Sequence, residues 1–170
     1  EAMAEGLRRM GLEAEALPPA VDAERFGAEA DKVALRRKYG IPENRRVVLH
    51  VGHLRAERNM DWLIRAQREL ENAQVVLVAS TATLAEEPPR RRLIEAGVRI
   101  FGDYLPHIEE IYQLSDCYCF PVRLETAAIE MPLSVLEAMA AGLPIVTTRF
   151  GRLPELFASA AAFRYVETCE

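Results

Sequence analysis

Short apolar runs rich in β-branched residues alternate along the chain with segments whose apolar positions recur every three or four residues. The short runs predict buried strands, and the wider spacing predicts helices packed by one face. The predicted strands are residues 47–51, 75–79, 98–101, 116–120, 145–147 and 163–166, and the predicted helices are residues 60–70, 84–96, 108–115, 132–142 and 153–159. This alternation predicts an α/β fold, a Rossmann-like parallel sheet of about six strands with helices on both faces.

Three loops are expected to lie at one edge of this sheet, because each follows a predicted strand. They are residues 50–59, 120–130 and 147–154. Parallel sheets of this kind bind ligands beyond the carboxyl ends of their strands, where the strand order reverses. The sequence therefore predicts a ligand site formed by these loops.

The helix over residues 132–142 carries the first candidate chemistry. Pro132 suits a first helical turn, and Gly142 followed by Pro144 is a stop signal. Glu137 interrupts its apolar run, near a helix end whose free N–H groups attract anions. A carboxylate beside such an end suits a ligand with both hydroxyls and phosphate, as in a nucleotide-sugar; the alternative for Glu137 is an ordinary solvated helix residue.

Composition narrows the class of protein. The 170 residues are 50% hydrophobic, enough for one substantial core, and the net charge of −5 gives no basic face for nucleic acid. No apolar run approaches the roughly 20 residues that span a bilayer, and residues 1–11 are a charged, alanine-rich helical stretch unlike a signal peptide. The three cysteines are scattered, which fits neither a zinc site nor a disulfide framework, so reduced thiols and a cytoplasmic location are expected.

Residues 133–147 read Leu-Ser-Val-Leu-Glu-Ala-Met-Ala-Ala-Gly-Leu-Pro-Ile-Val-Thr, and residues 151–155 read Gly-Arg-Leu-Pro-Glu. Residues 51–59 read Val-Gly-His-Leu-Arg-Ala-Glu-Arg-Asn, and residues 17–26 contain Pro-x-x-Val-Asp before a phenylalanine. Taken in their order along the chain, these segments resemble the C-terminal, nucleotide-sugar-binding half of retaining glycosyltransferases of family 4, the glycosyl transferases group 1, which have the GT-B fold. The resemblance implies an interdomain linker or extension over residues 1–30 and a Rossmann-like donor-binding domain over residues 31–170.

The resemblance also implies an activity. Such a protein transfers a sugar from a nucleoside diphosphate sugar to an acceptor, as a hexosyltransferase, with no metal and no cofactor. The acceptor-binding half is expected before Glu1 and further helices after Glu170, so the chain is expected to be a fragment that is inactive alone. The missing half would be its partner and the place of any peripheral membrane contact.

Several residues acquire roles from the matching motifs. His53 falls where the family has an arginine, and Arg58 falls where it has a lysine, and these two positions grip the donor diphosphate; Arg55 is a candidate for the missing charge. Glu137 is implied to hold the ribose diol. The remaining implied donor contacts are Ser134, Gly151 and Glu155, the last with the alternative of a first-turn carboxylate favoured by the helix dipole.

The loop before the helix departs from the family pattern. A first glutamate facing the donor sugar is expected eight residues before Glu137, where this chain has Ile129. Glu130 stands one residue out of register and is the predicted catalytic carboxylate if the loop is rearranged; Glu125 is the other candidate. Two alternatives therefore stay open, a nucleotide-sugar-binding or regulatory domain without catalysis and a sugar-nucleotide epimerase of the same architecture.

Overall fold

All six strands lie in one parallel sheet in the computed structural model, which describes residues 2–15, 17–158 and 161–167; Cys169 lies outside these residues. The strands are β1 (Arg46–Gly52), β2 (Ala73–Ala79), β3 (Arg99–Phe101), β4 (Cys117–Phe120), β5 (Ile145–Thr148) and β6 (Phe163–Val166). Their order in the sheet is β3-β2-β1-β4-β5-β6. This confirms the predicted fold class, with strands 47–51 and 145–147 in one parallel sheet on either side of β4.

Helices connect the strands. They are α1 (Ala2–Arg9), α2 (Ala23–Gly27), α3 (Lys32–Tyr39), α4 (Met60–Glu69), α5 (Glu87–Glu95), α6 (Ile108–Gln113), α7 (Leu133–Ala140) and α8 (Leu153–Phe157). Single 3-10 turns, Ala56–Arg58 and Glu125–Ala127, lie in the loops. The helix predicted over residues 84–96 begins only at Glu87, since Pro88 and Pro89 occupy its first turn, where a missing N–H costs nothing.

Hydrophobic cores cover both faces of the sheet. Leu49 of β1 packs with Tyr118 of β4 and with α2, α6 and α7 on one face. Val48, its neighbour, packs with Leu77 of β2 and with α4 and α5 on the other face. Because successive side chains of a strand point to opposite faces, a central strand contributes to both cores. This arrangement explains why the strands read as nearly continuous apolar runs.

The end of the predicted linker packs closely against the domain. Phe26 of α2 is buried and meets the ring of Tyr112 edge to face at 5.3 Å between centroids. Arg25 donates to Glu109 at 3.0 Å. A linker whose natural partner half is missing is expected to pack poorly against the domain. This expectation is wrong for α2, because its one large apolar side chain completes the core between α6 and α7; Leu17, in contrast, is 80% exposed. The division at residue 30 stays a prediction.

The strand order reverses between β1 and β4. From β1 the chain moves outward through β2 and β3, and from β4 it moves outward through β5 and β6 on the other side. The loops after β1 and β4 therefore diverge and leave a crevice at the carboxyl edge of the sheet. The side-chain amide of Asn59 donates to the carbonyl of Pro121 at 3.1 Å and ties these two loops together.

Candidate functional site

A cavity of about 640 Å³ opens at this crevice, and we call it the Arg58 cavity. It contains the predicted residues His53, Arg55, Arg58 and Ser134. The lining comes from the segments after β1 and β2 and from the loop that leads into α7. The residues are Val51, Gly52, His53, Arg55, Glu57, Arg58, Ser80, Thr83, Thr126, Ala127, Ala128, Ile129, Pro132, Leu133 and Ser134.

Arg58 is a buried cation without a close counterion among the described residues. It ends the 3-10 turn, and its side chain is held inside so that the residue is only 7% exposed. Burial lowers the pKa of the guanidinium, and the charge effects of Tyr118 and Glu57 oppose this shift. The Glu57 carboxylate itself pairs with Arg55 at 3.3 Å. The Nε–H of Arg58 has no hydrogen-bond partner in the part of the chain that the structure describes. A buried guanidinium with unused donors is suited to an anion.

The absence of a side chain at Gly52 leaves space for the Arg58 guanidinium beside His50. A β-carbon at Gly52 would lie 2.7 Å from Arg58 Nη1 and 3.3 Å from His50 Nε2, so only glycine permits the approach. His50 is fully buried, and its Nδ1 lies 2.9 Å from the carbonyl of Cys119, which can only accept. Nδ1 therefore carries the proton and Nε2 is an acceptor. Burial, together with the nearby Arg58, lowers the pKa of His50 to about 4, so His50 is neutral beside the cation.

His53 and Arg55 add little free positive charge to the cavity. Burial and the two neighbouring arginines lower the pKa of His53, and its Nδ1 lies 2.8 Å from the hydroxyl of Thr83. Arg55 pairs with Glu57 and, at 3.6 Å, with Glu86. His53 is thus a neutral hydrogen-bonding group and Arg55 is already paired, which leaves Arg58 as the main charge that can meet an anion.

The start of α7 faces the same cavity. The helix follows Pro132, and the backbone N–H groups of Leu133 and Ser134 lie in its first turn, where they have no partner within the helix. Burial raises the pKa of the Tyr118 phenol overall, although the side chain of Ser134 lies close enough to this phenol to lower that pKa. Arg58 and this helix end therefore present positive potential to one space.

Glu137 lines an adjoining cavity of about 340 Å³, which we call the Glu137 cavity. The hydroxyl of the buried Tyr112 donates to Glu137 Oε2 at 2.6 Å. Val51 and Ser80 line both cavities, so the two spaces meet at the ends of β1 and β2. Residues 103–105, which follow β3, form the far wall of the Glu137 cavity.

Glu130, Gly151 and Glu155 lie elsewhere. The exposed Glu130 lines a separate groove of about 550 Å³, which we call the Glu130 groove, together with Arg152. Gly151 has a φ of 51° and its α-carbon faces the backbone of Glu130, whose carbonyl accepts from the N–H of Arg152 at 3.1 Å. Glu155 pairs with Arg152 at 3.0 Å. The predicted residues thus fall into two groups. One surrounds the two adjoining cavities: His53, Arg55, Arg58, Ser134 and Glu137. The other lies at or near the Glu130 groove: Glu130, Gly151 and Glu155.

The sequence between residues 45 and 166 matches the family model described as Glycosyl transferases group 1. This match covers more than half of the 170 residues. The chain belongs to the glycosyl transferases group 1 family.

Relatives and solved structures agree with this membership. The chain is 30% identical over 155 residues to a GDP-mannose-dependent alpha-(1-6)-phosphatidylinositol monomannoside mannosyltransferase of Mycolicibacterium smegmatis, with 83% of this chain and 40% of the relative covered. The fold of this chain resembles that of Anabaena HepE in complex with UDP and glucose. The TM-score is 0.74 at 19% identity, and the match covers 92% of this chain and 44% of that one. It also resembles the C-terminal domain of a glycosyl transferase group 1 family protein from Francisella tularensis, with a TM-score of 0.66, 19% identity, and coverage of 87% and 80%.

Three residues that contact the candidate site residues are not predicted from the sequence. They are His50 and Gly52 beside Arg58, and Tyr112 beside Glu137. A histidine in the middle of an apolar strand was the available signal for His50, since a buried imidazole needs a hydrogen-bond partner. Tyr112 gave no comparable signal, because a tyrosine on an amphipathic helix is ordinary core.

Metal-binding clusters and membrane-spanning helices are both absent from the described part of the chain. Residues 2–15, 17–158 and 161–167 contain no group of three or more histidine, cysteine, aspartate or glutamate side chains placed to hold a metal ion. No helix within those same ranges is long and apolar enough to cross a bilayer.

Proposed function

We propose that this chain is the donor-binding domain of a retaining glycosyltransferase that uses a nucleoside diphosphate sugar. The observation that carries the proposal is the buried guanidinium of Arg58, which has no ion-pair partner among the described residues and lies in a cavity that meets the cavity of Glu137. A diphosphate can pair with the guanidinium of Arg58. A ribose diol can bind Glu137, because a carboxylate accepts hydrogen bonds from two hydroxyl groups.

The proposed ligand spans both cavities. Its diphosphate lies between Arg58 and the first turn of α7, its ribose lies at Glu137, and its base lies toward residues 103–105. The sugar then occupies the rest of the Arg58 cavity. The names of two similar proteins support this choice, since one relative is described as GDP-mannose-dependent and one structural neighbour is a complex with UDP and glucose.

In this proposal the domain needs no metal and no cofactor. The leaving diphosphate gains negative charge as the bond to the sugar breaks, and Arg58 with the helix N-terminus can stabilise that charge. His53 and Ser134 would add neutral hydrogen bonds. The acceptor would be bound by a further domain of a longer protein, because the chain spans about 40% of the first relative it matches.

Calorimetry of the 170-residue chain with UDP, GDP and ADP tests the binding step. Replacing Arg58 by alanine should weaken binding by about ten- to a hundredfold, or about 1.5–3 kcal/mol, because a charge-assisted contact is lost. Arg45→Ala is the matched control, since Arg45 is exposed before β1, at the opposite end of that strand, and should leave affinity unchanged. Equal losses in both variants, or no loss in Arg58→Ala, would place the phosphate elsewhere.

A second candidate is nucleotide-sugar binding without transfer. It is favoured by the position of Glu130, whose side chain lines the Glu130 groove instead of the Arg58 cavity. Catalysis by Glu130 therefore requires its loop to move when the donor binds. Turnover by a longer protein that contains this domain separates the two candidates, and family membership favours either one over the epimerase.

A further inference from the structure

One part of the lining of the Arg58 cavity is apolar. It is formed by residues 126–129, 132 and 133, and we call it the apolar wall. Ile129 is 62% exposed and Leu133 is 44% exposed, so two large aliphatic side chains face solvent at the cavity. Large aliphatic groups left in contact with water at a cavity indicate a ligand that covers them.

The polar groups that a sugar hydroxyl needs are scarce at this wall. Of its six residues, only Thr126 carries a polar side chain. The carboxylate of Glu130, next to Ile129 in sequence, lines the Glu130 groove, and the carboxylate of Glu57 is held in its pair with Arg55. A hydroxyl held against the aliphatic side chains of this wall would lose its hydrogen bonds to water without replacement from them, whereas a methyl group would gain from burial.

We propose that the sugar of the donor is a 6-deoxyhexose, whose C6 methyl group packs against Ile129 and Leu133. The inference rests on the proposed function, because it takes the diphosphate to lie at Arg58 and the nucleoside to lie in the Glu137 cavity. The sugar is then the part of the ligand left to meet the apolar wall. Ile129 and Leu133 are specificity-determining residues in this account.

The experiment compares three ligands of one base by calorimetry with the 170-residue chain. The guanosine series is GDP, GDP-mannose and GDP-6-deoxymannose, and the thymidine series is dTDP, dTDP-glucose and dTDP-6-deoxyglucose. The uridine series is UDP, UDP-glucose and UDP-6-deoxyglucose. In the series whose diphosphate binds, the deoxysugar should bind at least about tenfold more tightly than its hydroxylated parent, which is about 1.4 kcal/mol. Equal binding, or tighter binding of the parent, overturns the inference.

Variants locate the effect. Ile129→Gln places an amide on the apolar wall and leaves the core intact, because Ile129 is largely exposed. This variant should bind the deoxysugar and its hydroxylated parent about equally tightly. Leu124→Gln is the control, since Leu124 is 55% exposed on the same loop and is not among the described residues that line the cavity. A preference that survives Ile129→Gln contradicts the assignment.

Failure of the proposed function has a different signature. In that case none of UDP, GDP, ADP and dTDP binds, or binding is indifferent to Arg58→Ala, and the deoxysugar inference falls with it. When the diphosphate binds through Arg58 but the two sugars bind alike, only the deoxysugar inference is overturned.

Discussion

The hydroxyl of Tyr112 donates a 2.6 Å hydrogen bond to Glu137 Oε2, from a ring that is itself fully buried between α6 and the sheet. The pKa of Tyr112 is raised well above its usual value by this burial, so the phenol keeps its proton and remains a donor. One bond leaves the carboxylate most of its acceptor sites. Tyr112 therefore orients Glu137 toward its cavity while leaving it able to bind a diol.

Tyr112→Phe should weaken nucleoside diphosphate binding by about two- to tenfold, because the freed carboxylate must be ordered when the ligand binds. Calorimetry with the diphosphate that binds most tightly measures the change. Tyr165→Phe is the matched control, since that hydroxyl donates to the carbonyl of Leu153 at 2.7 Å, outside both cavities. An affinity identical to that of the original chain would show that Tyr112 has only a packing role.

Gly151→Ala should lower the free energy of unfolding by more than about 2 kcal/mol. The new β-carbon would lie 2.3 Å from the carbonyl oxygen of Glu130, and the positive φ of 51° adds backbone strain. Gly142→Ala separates the two effects, because Gly142 has a φ of 69° but its new β-carbon would meet no described atom within 4 Å, so it should lose only about 1 kcal/mol. Urea unfolding of both variants provides the comparison, and equal losses would mean that the loop moves aside freely.

Stability should fall as the pH decreases from about 6.5 to about 4, the range between the pKa of an unfolded histidine and that of folded His50. In this range the unfolded chain binds more protons than the folded chain, so the free energy of unfolding decreases as the pH falls. The whole effect is about 3 kcal/mol, and about 2 kcal/mol is lost by about pH 5.

Urea unfolding at about pH 7 and about pH 5 tests this, with His50→Phe as the comparison because it cannot be protonated. The variant starts from lower stability, since the bond to Cys119 is lost, so the change between the two pH values is the quantity compared. The prediction fails if both proteins lose the same amount on acidification.

Transfer by a longer protein that contains this domain should depend on Glu130. Glu130→Gln keeps the size of the side chain but removes its charge, and turnover should fall by at least about a hundredfold if the carboxylate assists the reaction. Glu125→Gln, in the 3-10 turn of the same loop, is the control and should keep turnover. Unchanged turnover in Glu130→Gln excludes it from the reaction.

The fold was predictable because its strands are buried on both faces. Val48 and Leu49 of β1 are both buried, each in a different core. Successive residues of such a strand are therefore nearly all apolar, and a nearly continuous apolar run is a clear strand signal in the sequence. The apolar spacing predicts the start of α5 too early because the exposed Leu84 continues it, although Pro88 and Pro89 favour a first turn. The burial of Phe26 cannot be predicted from the sequence, because contacts between residues far apart in the chain leave no local pattern.

The site was predictable only in part. The family resemblance implies His53, Arg55 and Arg58 as donor contacts, but it carries no information about ion pairs. Only the structure shows that Glu57 and Glu86 pair with Arg55. Ile129 and Glu130 are adjacent in sequence and line different cavities. In an irregular loop no period relates position to direction, so this separation had to be observed.

The contact of Gly151 with Glu130 joins two loops that arise from different strands. The turn after β5 rests on the backbone of the loop after β4, so neither can change its length or course alone. A change of sugar specificity at Ile129 would therefore involve the loop after β4, whose backbone position depends on Gly151 in the turn after β5. Engineering of this specificity should vary residues 121–132 and 148–152 as one unit.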